Sequence, residues 1–385
     1  MTATRELTGV DEETSSFLDT LNAFCRERIA PRAEDIDRED KWFPDLLGEC
    51  AALGLQGLLV EENAFRRDRI FLAEAVTRLI GSYSPSVGLA LCAAHIQSVM
   101  LASYGRPAVK EKWLGPVVAA EAFGSMGISE PDAGTDLRNI RTVARRDGKS
   151  WVLNGGKTWT TLSPVSDFTV VLAKLDSRDR SAEMGVFLVE RDMPGVTYGA
   201  NESLIGYHGL PMANVYLEDV QVPADNVMTA EGGFKNVLQG LNFARIGAAS
   251  LGAGILHGCL RLSTAYARSR VTYGTPIANH QLVQLRIGEM MNNLAAAEAL
   301  CQTAAASYAT GDPDPHLLAS AKVFCTDAAM AAATACVTIF GGMGVTEQYA
   351  IERYLRDAKC TQIFDGTSDI LTLQVGRAGL AREDW

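Results

Sequence analysis

The spacing of apolar residues changes twice along this chain. In the first third, Phe17, Leu18, Leu21, Phe24 and Cys25 form one stripe, and Leu46, Leu47, Cys50 and Leu53 form a second. A recurrence every three to four positions is the mark of helices with one face turned to a core. Further helices are expected over 71–80, 87–104 and 108–120, separated by Gly81, Pro85, Gly105 and Pro107, residues that interrupt helix. From about Gly124 to Met228 the period shortens. The stretches 142–144, 150–153, 168–172, 186–189 and 214–217 are short and rich in β-branched and aromatic residues, as strands are. Asp147-Gly148, Asn154-Gly155 and Pro194-Gly195 supply turn residues between them. After Gly232 the helical period returns over 244–268, 280–310, 315–340, 348–358 and 367–381, lengths that suit an antiparallel bundle with short connections. The pattern predicts an α+β chain in three parts: an N-terminal α-helical domain (1–123), a central small β domain (124–230) and a C-terminal helical bundle (231–385).

Composition narrows the function. The chain has 385 residues, 47% of them hydrophobic, and a net charge of -11. An acidic surface argues against nucleic acid and anionic membranes as partners, since both call for basic patches. The eight cysteines are scattered, and no two make a C-x-x-C pair; most lie in apolar helical contexts, as free thiols do in a reducing compartment. The first sixteen residues carry no apolar core and are acidic, so neither a signal nor a transit peptide is read there. A cytoplasmic protein is expected, with no apolar run long enough to cross a bilayer. Several motifs fail. Gly156-Lys157-Thr158 resembles the end of a P-loop, but Trp151 occupies the required upstream glycine position. Gly252-Ala253-Gly254 lies in a helix with the wrong spacing for a dinucleotide fingerprint. Five scattered histidines offer no metal set, and G-x-S-x-G is absent. His95, alone on its helix, reads as a core or lining residue.

Three stretches carry candidate chemistry. Residues 126–161 open with a loop holding Pro131, Asp132, Gly134 and Asp136, and close with LNGGKTWTT. Ser129, Thr135, Thr160 and Thr161 offer hydroxyls and Trp159 a flat face, a set able to grip a planar ligand by its rim. A turn and hairpin with Trp159 in the core is the alternative. The second stretch, Arg270 to Gly274 followed by Asn279-His280-Gln281, joins a guanidinium, a hydroxyl and a helix start, a combination that suits a diphosphate; a turn with an exposed arginine is the alternative. The third runs from Ile339-Phe340-Gly341-Gly342 to Asp365-Gly366-Thr367-Ser368-Asp369. There Asp365 either does chemistry or caps the helix that follows.

Taken in order and in this α–β–α layout, the three stretches resemble the acyl-CoA dehydrogenase family of flavoproteins over essentially the whole chain. The resemblance implies an N-terminal helical domain, a small β-barrel or sheet domain and a C-terminal four-helix bundle, with FAD between the last two. It implies that Met126, Ile128, Ser129, Thr135, Trp159, Thr160 and Thr161 line the flavin. It also implies that Arg270, Thr272, Tyr273, His280 and Gln281 serve the cofactor of a neighbouring subunit. Thr338, Gly341, Gly342, Thr367 and Asp369 match further cofactor segments. Thr135, Asn242, Arg245 and Gly366 fall on the substrate side. A homodimer or homotetramer follows, because the cofactor site is shared between subunits. The implied reaction is α,β-dehydrogenation of an acyl thioester, on CoA or an acyl-carrier protein. A carboxylate removes the α-proton, the flavin accepts hydride, and the Asp365 N–H helps polarise the thioester carbonyl. Electrons then pass to an electron-transfer flavoprotein or to oxygen.

The substrate side departs from the family pattern. The usual glutamate before Gly-Thr-Ser is Asp365, one methylene shorter, and the alternative glutamate position is Ala244. Asn242 replaces a common aspartate, Thr338 a glutamine, and His208 and Leu210 stand where Arg and Ser are frequent. The segment 60–65 lacks the usual Gly-Gly loop. These departures point to a short or polar acyl group. Two other readings remain at this level, a flavin monooxygenase on the same fold and a catalytically weakened binding homologue.

Overall fold

The structure, a computed structural model, describes residues 12–176, 183–230 and 232–382. Helix α1 (Glu12–Phe24) runs through a wider turn at Cys25–Ile29 into α2 (Ala30–Glu39), and α3 (Pro44–Ala52) follows. A two-residue hairpin, β1 (Val60–Glu61) and β2 (Ala64–Phe65), leads to α4 (Ile70–Gly81), α5 (Pro85–Tyr104) and α6 (Pro107–Val118). Ser84 caps α5 by accepting from the Val87 N–H, with Pro85 in the first turn, where a missing N–H is harmless. The two stripes read from the sequence meet in one buried cluster that holds Leu21, Cys25, Leu46, Leu47 and Cys50, while Leu53 is 40% exposed and stands outside it. Leu162, Tyr207 and Leu210 of the β region complete it, so the N-terminal helices are seated on the loops that follow.

The β region is one eight-stranded sheet. Its strands are β3 (Gly124–Gly127), β4 (Val143–Asp147), β5 (Ser150–Thr161), β6 (Phe168–Leu175), β7 (Met184–Glu190), β8 (Val196–Tyr198), β9 (Met212–Val222) and β10 (Val227–Thr229). The order is β10-β7-β6-β4-β5-β9-β8, and β3 pairs parallel with β6. Alternation along β9 puts Ala213, Val215, Leu217, Val220 and Val222 inside. One expected turn is not there. Asn154-Gly155 lies within β5, where the pairing with β9 shifts register between Leu153 and Gly155. Gly155 has φ of 148°, and a Cβ on it would stand 2.6 Å from the Thr142 Cα. The glycine therefore makes a bulge at a close crossing, and its turn-like neighbour misled the local reading.

The C-terminal part is built on α7 (Gly233–Ser269), 37 residues long. A small hairpin, β11 (Val271–Thr272) and β12 (Thr275–Pro276), joins it to α8 (Gln281–Ala309), and α9 (Pro315–Phe340), α10 (Ile351–Thr361) and α11 (Ser368–Leu380) follow. Small residues let α7 serve as the spine. A Cβ on Gly252 would lie 2.8 Å from the Cys325 backbone, and one on Gly254 2.5 Å from the Arg78 carbonyl, so α9 and α4 approach at backbone contact on either side. The expectation that no apolar run could span a bilayer is overturned. Pro85–Tyr104, Gly233–Ser269 and the segment Pro315–Val345 are long and apolar enough by length and composition. The first two bury most of that apolar surface inside the protein, because an interior helix of a large bundle is apolar on most sides.

Candidate active site

The loop after β3 is fixed by a buried ion pair. Lys157 on β5 donates to Glu130 Oε1 at 2.6 Å and to the Ile128 carbonyl at 3.2 Å. Glu130 also accepts from the N–H groups of Arg141 and Thr142. Burial brings the Lys157 ammonium down to about 8 despite its partner. Burial pushes the Glu130 carboxyl up, but hydrogen bonds from Lys157, Thr142 and Arg141 outweigh it and hold the group below the usual range. The Thr158 N–H donates to the Ser129 carbonyl at 2.9 Å, tying loop to strand.

Next to this tie, β5 and β9 lose register between Lys157 and Thr160. Trp159 sits in the break with φ of 55° and is 58% exposed, so it is not a core residue. A β-bulge re-aims a side chain, and here it turns the indole out of the sheet. The hydroxyl of Thr160 is buried with no hydrogen-bond partner, while Thr135 is exposed and Met126, Ile128, Ser129 and Thr161 are half-buried.

The second group converges between α10 and α11. Asp365 has φ of 55° and Gly366 φ of 101°. Thr367 is the residue that caps α11, accepting from the Ile370 N–H, so Asp365 is not the cap. Arg245 on α7 donates from Nε to the Asp365 carbonyl at 3.4 Å and from Nη1 to Asn242 Oδ1 at 3.1 Å. Burial raises the Asp365 carboxyl to about 6, against the pull of Lys322 and Arg245. Beside it a cavity of about 20 Å³ opens between α4, α5 and α7, walled by Ile70, Cys92, His95, Ile96, Phe243 and Ile246. Burial pushes the Cys92 thiol up to about 12, with Asp365 contributing, which places this wall within electrostatic reach of the carboxylate. His95 Nε2 donates to the Leu55 carbonyl at 2.7 Å, and burial lowers the ring to about 4. It is a neutral lining residue, as its isolation in the sequence suggested.

The hairpin after α7 is a third group. Thr272 and His280 share a 2.9 Å hydrogen bond, and Tyr273 stands edge-on to His280 while 97% exposed. Arg270 and Gln281 are exposed, as are Thr338, Gly341, Gly342 and Asp369. Within one chain, the structure therefore gathers the 126–161 residues in the β region, and Asn242, Arg245, Asp365 and Gly366 in the bundle. Sequence reading missed Lys322, Cys92, Phe243 and the Glu130–Lys157 pair. Lys322 had a signal, a lysine on the apolar face marked by Leu318, Ala321, Cys325 and Ala329. The other three had none, because they depend on contacts between distant segments.

Comparison with known proteins matches this architecture throughout. Family models described as acyl-CoA dehydrogenase N-terminal, middle and C-terminal domain match residues 11–121, 125–220 and 231–380. The chain is 33% identical to a cyclohexane-1-carbonyl-CoA dehydrogenase of Geobacter metallireducens, over 95% of this chain and 97% of that protein. It is 32% identical to a short-chain-specific acyl-CoA dehydrogenase of Megasphaera elsdenii, over 94% and 96%. Among solved structures, butyryl-CoA dehydrogenase from Megasphaera elsdenii superposes with a TM-score of 0.91 at 31% identity, over 97% and 99%. The chain belongs to the acyl-CoA dehydrogenase family, flavoprotein oxidoreductases acting on CH–CH bonds.

Proposed function

We propose that this protein removes hydrogen from the α and β carbons of a short acyl thioester, with Asp365 as the base and FAD as the cofactor. The observation that carries the reading is Asp365 itself. It is a carboxyl raised to about 6 by burial, it caps no helix, and it lies within electrostatic reach of Cys92 in the cavity wall. A carboxylate titrating near working pH suits proton removal. Ala244 leaves no second carboxylate on that face of α7. Among the described residues no acceptor takes the Asp365 N–H, and a free N–H beside the base suits the carbonyl oxygen of a thioester as negative charge develops there. Arg245 and Asn242 are the groups nearest the base that can hold the polar arm of the substrate.

The residues present fit a flavin. The Thr160 hydroxyl lacks a partner, and Trp159 is held out of the sheet by an unfavourable φ; both make sense with a flat, hydrogen-bonding ligand between them. Ile128, Ser129 and Thr161 would border it, and Thr367 with Asp369 would approach from the bundle. When bound, FAD supplies a hydride acceptor. Thr272 hydrogen-bonds His280 and Tyr273 packs edge-on to it, with Arg270 and Gln281 exposed beside them, a form suited to a second copy's cofactor. Thr338, Gly341 and Gly342 serve the same joint site. The protein acts as a homodimer or homotetramer and passes electrons to an electron-transfer flavoprotein or to oxygen. CoA or a carrier protein bears the acyl group.

The free space behind the Cys92 wall is small, about 20 Å³ and room for one water-sized body, so the acyl group we propose is a short one, with octanoyl excluded. The test is anaerobic bleaching of the flavin by a panel of acyl thioesters of rising length. Bleaching confined to short chains is expected; bleaching by none of them, with FAD retained, would sink the reading.

A further inference from the structure

One buried cation near the base has no carboxylate in direct contact with it. Lys322 of α9 is 0% exposed, and its Nζ donates to the Gln362 carbonyl at 3.0 Å and the Gly366 carbonyl at 2.9 Å. Burying an ammonium is costly unless something offsets it. Both carbonyls belong to the segment between α10 and α11 that carries Asp365. One turn further along α9, Asp327 Oδ1 accepts from Gln362 Nε2 at 2.6 Å and from Ser368 Oγ at 2.8 Å. Lys322 and Asp327 each hold Gln362 at one end of that segment and Gly366 or Ser368 at the other. Asp365 lies between these holds, and both it and Gly366 have left-handed backbones. For a residue with a Cβ such a conformation is disfavoured and persists only where its surroundings enforce it.

We propose that Lys322 is a positioning residue for the base: its ammonium clamps the 362–366 segment into the strained turn that aims Asp365, and its charge keeps that carboxylate ionised in a desolvated site. The inference rests on the reading of Asp365 as base. The charged and titratable groups that face Asp365 are Lys322 from α9, Arg245 from α7 and Cys92 from α5, with Asp327 acting on Lys322 in turn. Burial lowers Lys322 to about 8, opposed by Asp365 and Asp327 and reinforced by Arg245. The carboxylate is present above about 6 and the ammonium below about 8. The two charges coexist in that window alone.

The experiment compares FAD-loaded wild type with Lys322→Met, Lys322→Gln and Lys322→Arg. Protonation of Asp365 is read directly from its carboxylic-acid infrared band, with Asp365→Asn as the blank, and the rate of flavin bleaching by butyryl-CoA is followed against pH. In Lys322→Met the infrared midpoint should rise by about one unit, the effect of losing one nearby opposite charge, and the acid limb of bleaching should move with it. Lys322→Gln keeps a donor for one carbonyl without the charge, so it should show the same shift with a smaller loss of rate, and it serves if the methionine variant does not fold. Lys322→Arg should hold the midpoint, and its alkaline limb near pH 8 should vanish. An unchanged infrared midpoint in both neutral variants would overturn the proposal and leave Lys322 a packing residue. Wild-type bleaching by Asp365→Asn would overturn the base reading instead, and the infrared titration would still decide what Lys322 does.

Discussion

Asp365 shows how much one side chain depends on its surroundings. In the sequence it is a carboxylate before Gly-Thr-Ser, equally able to cap a helix. In the fold Thr367 takes the cap, and Asp365 is left in a strained backbone beside Arg245. Asp365→Asn keeps size and N–H while removing proton affinity, so turnover should fall roughly 10²–10⁴-fold with FAD content unchanged. Asp365→Glu restores the more frequent family residue but displaces the carboxylate by about a bond length, enough to lower the rate. The pH dependence has a definite sign. The base works as the carboxylate, so on the acid side the bleaching rate should fall as pH drops through the Asp365 midpoint of about 6, below the alkaline limb that Lys322 sets near 8; a rate flat from pH 5 to 7 would exclude Asp365.

At the scale of elements, two joints decide the site. The first is the Glu130–Lys157 pair, with side chains 5% and 0% exposed. Removing one partner of such a pair strands the other charge and costs about 3–5 kcal/mol. Lys157→Met should lower the melting temperature and release FAD more readily than wild type on gel filtration. A variant equal to wild type in both would remove the pair from this role. The second joint is Phe243 on α7, stacked edge-on against Tyr308 at 5.7 Å and closing the cavity. Phe243→Leu should extend bleaching from butyryl to longer acyl chains at a modest loss of stability, whereas Phe243→Ala should cost about 3–5 kcal/mol. An unchanged chain-length profile in the leucine variant would place the limit elsewhere.

At the scale of the whole molecule, the exposed apolar residues lie mainly on the C-terminal part. Leu282, Leu285 and Met291 of α8, Leu380 of α11 and Val345 are each more than half exposed. In the proposed assembly a second copy would cover these residues and the hairpin whose tyrosine is bare. Light scattering should report a dimer or tetramer. Arg270→Ala should weaken FAD retention without lowering helical content, because its partner would be the neighbouring copy's diphosphate. A monomer that retains FAD would refute the shared site.

The helical and strand regions were legible because their periods, near 3.6 and 2, follow from which face meets a core. The resemblance to a flavoprotein family rested on three separated motifs, each ambiguous alone, and the loop and strand around Trp159 leave open a ligand surface or a hairpin with Trp159 in the core, of which the exposed indole removes the second. What the chain alone could not show was closure in space. Asn154-Gly155 looked like a turn because turn preference is local, while the bulge it makes is set by how closely Thr142 passes. Two of the apolar helices that would satisfy a bilayer, Pro85–Tyr104 and Gly233–Ser269, are interior here because others pack around them. The cavity wall of Cys92, His95 and Phe243, and the grip of Lys322 on the Asp365 turn, join residues far apart in sequence. Desolvation by those distant neighbours, together with the charges they bring, sets the proton affinity of Asp365, and no local pattern encodes it.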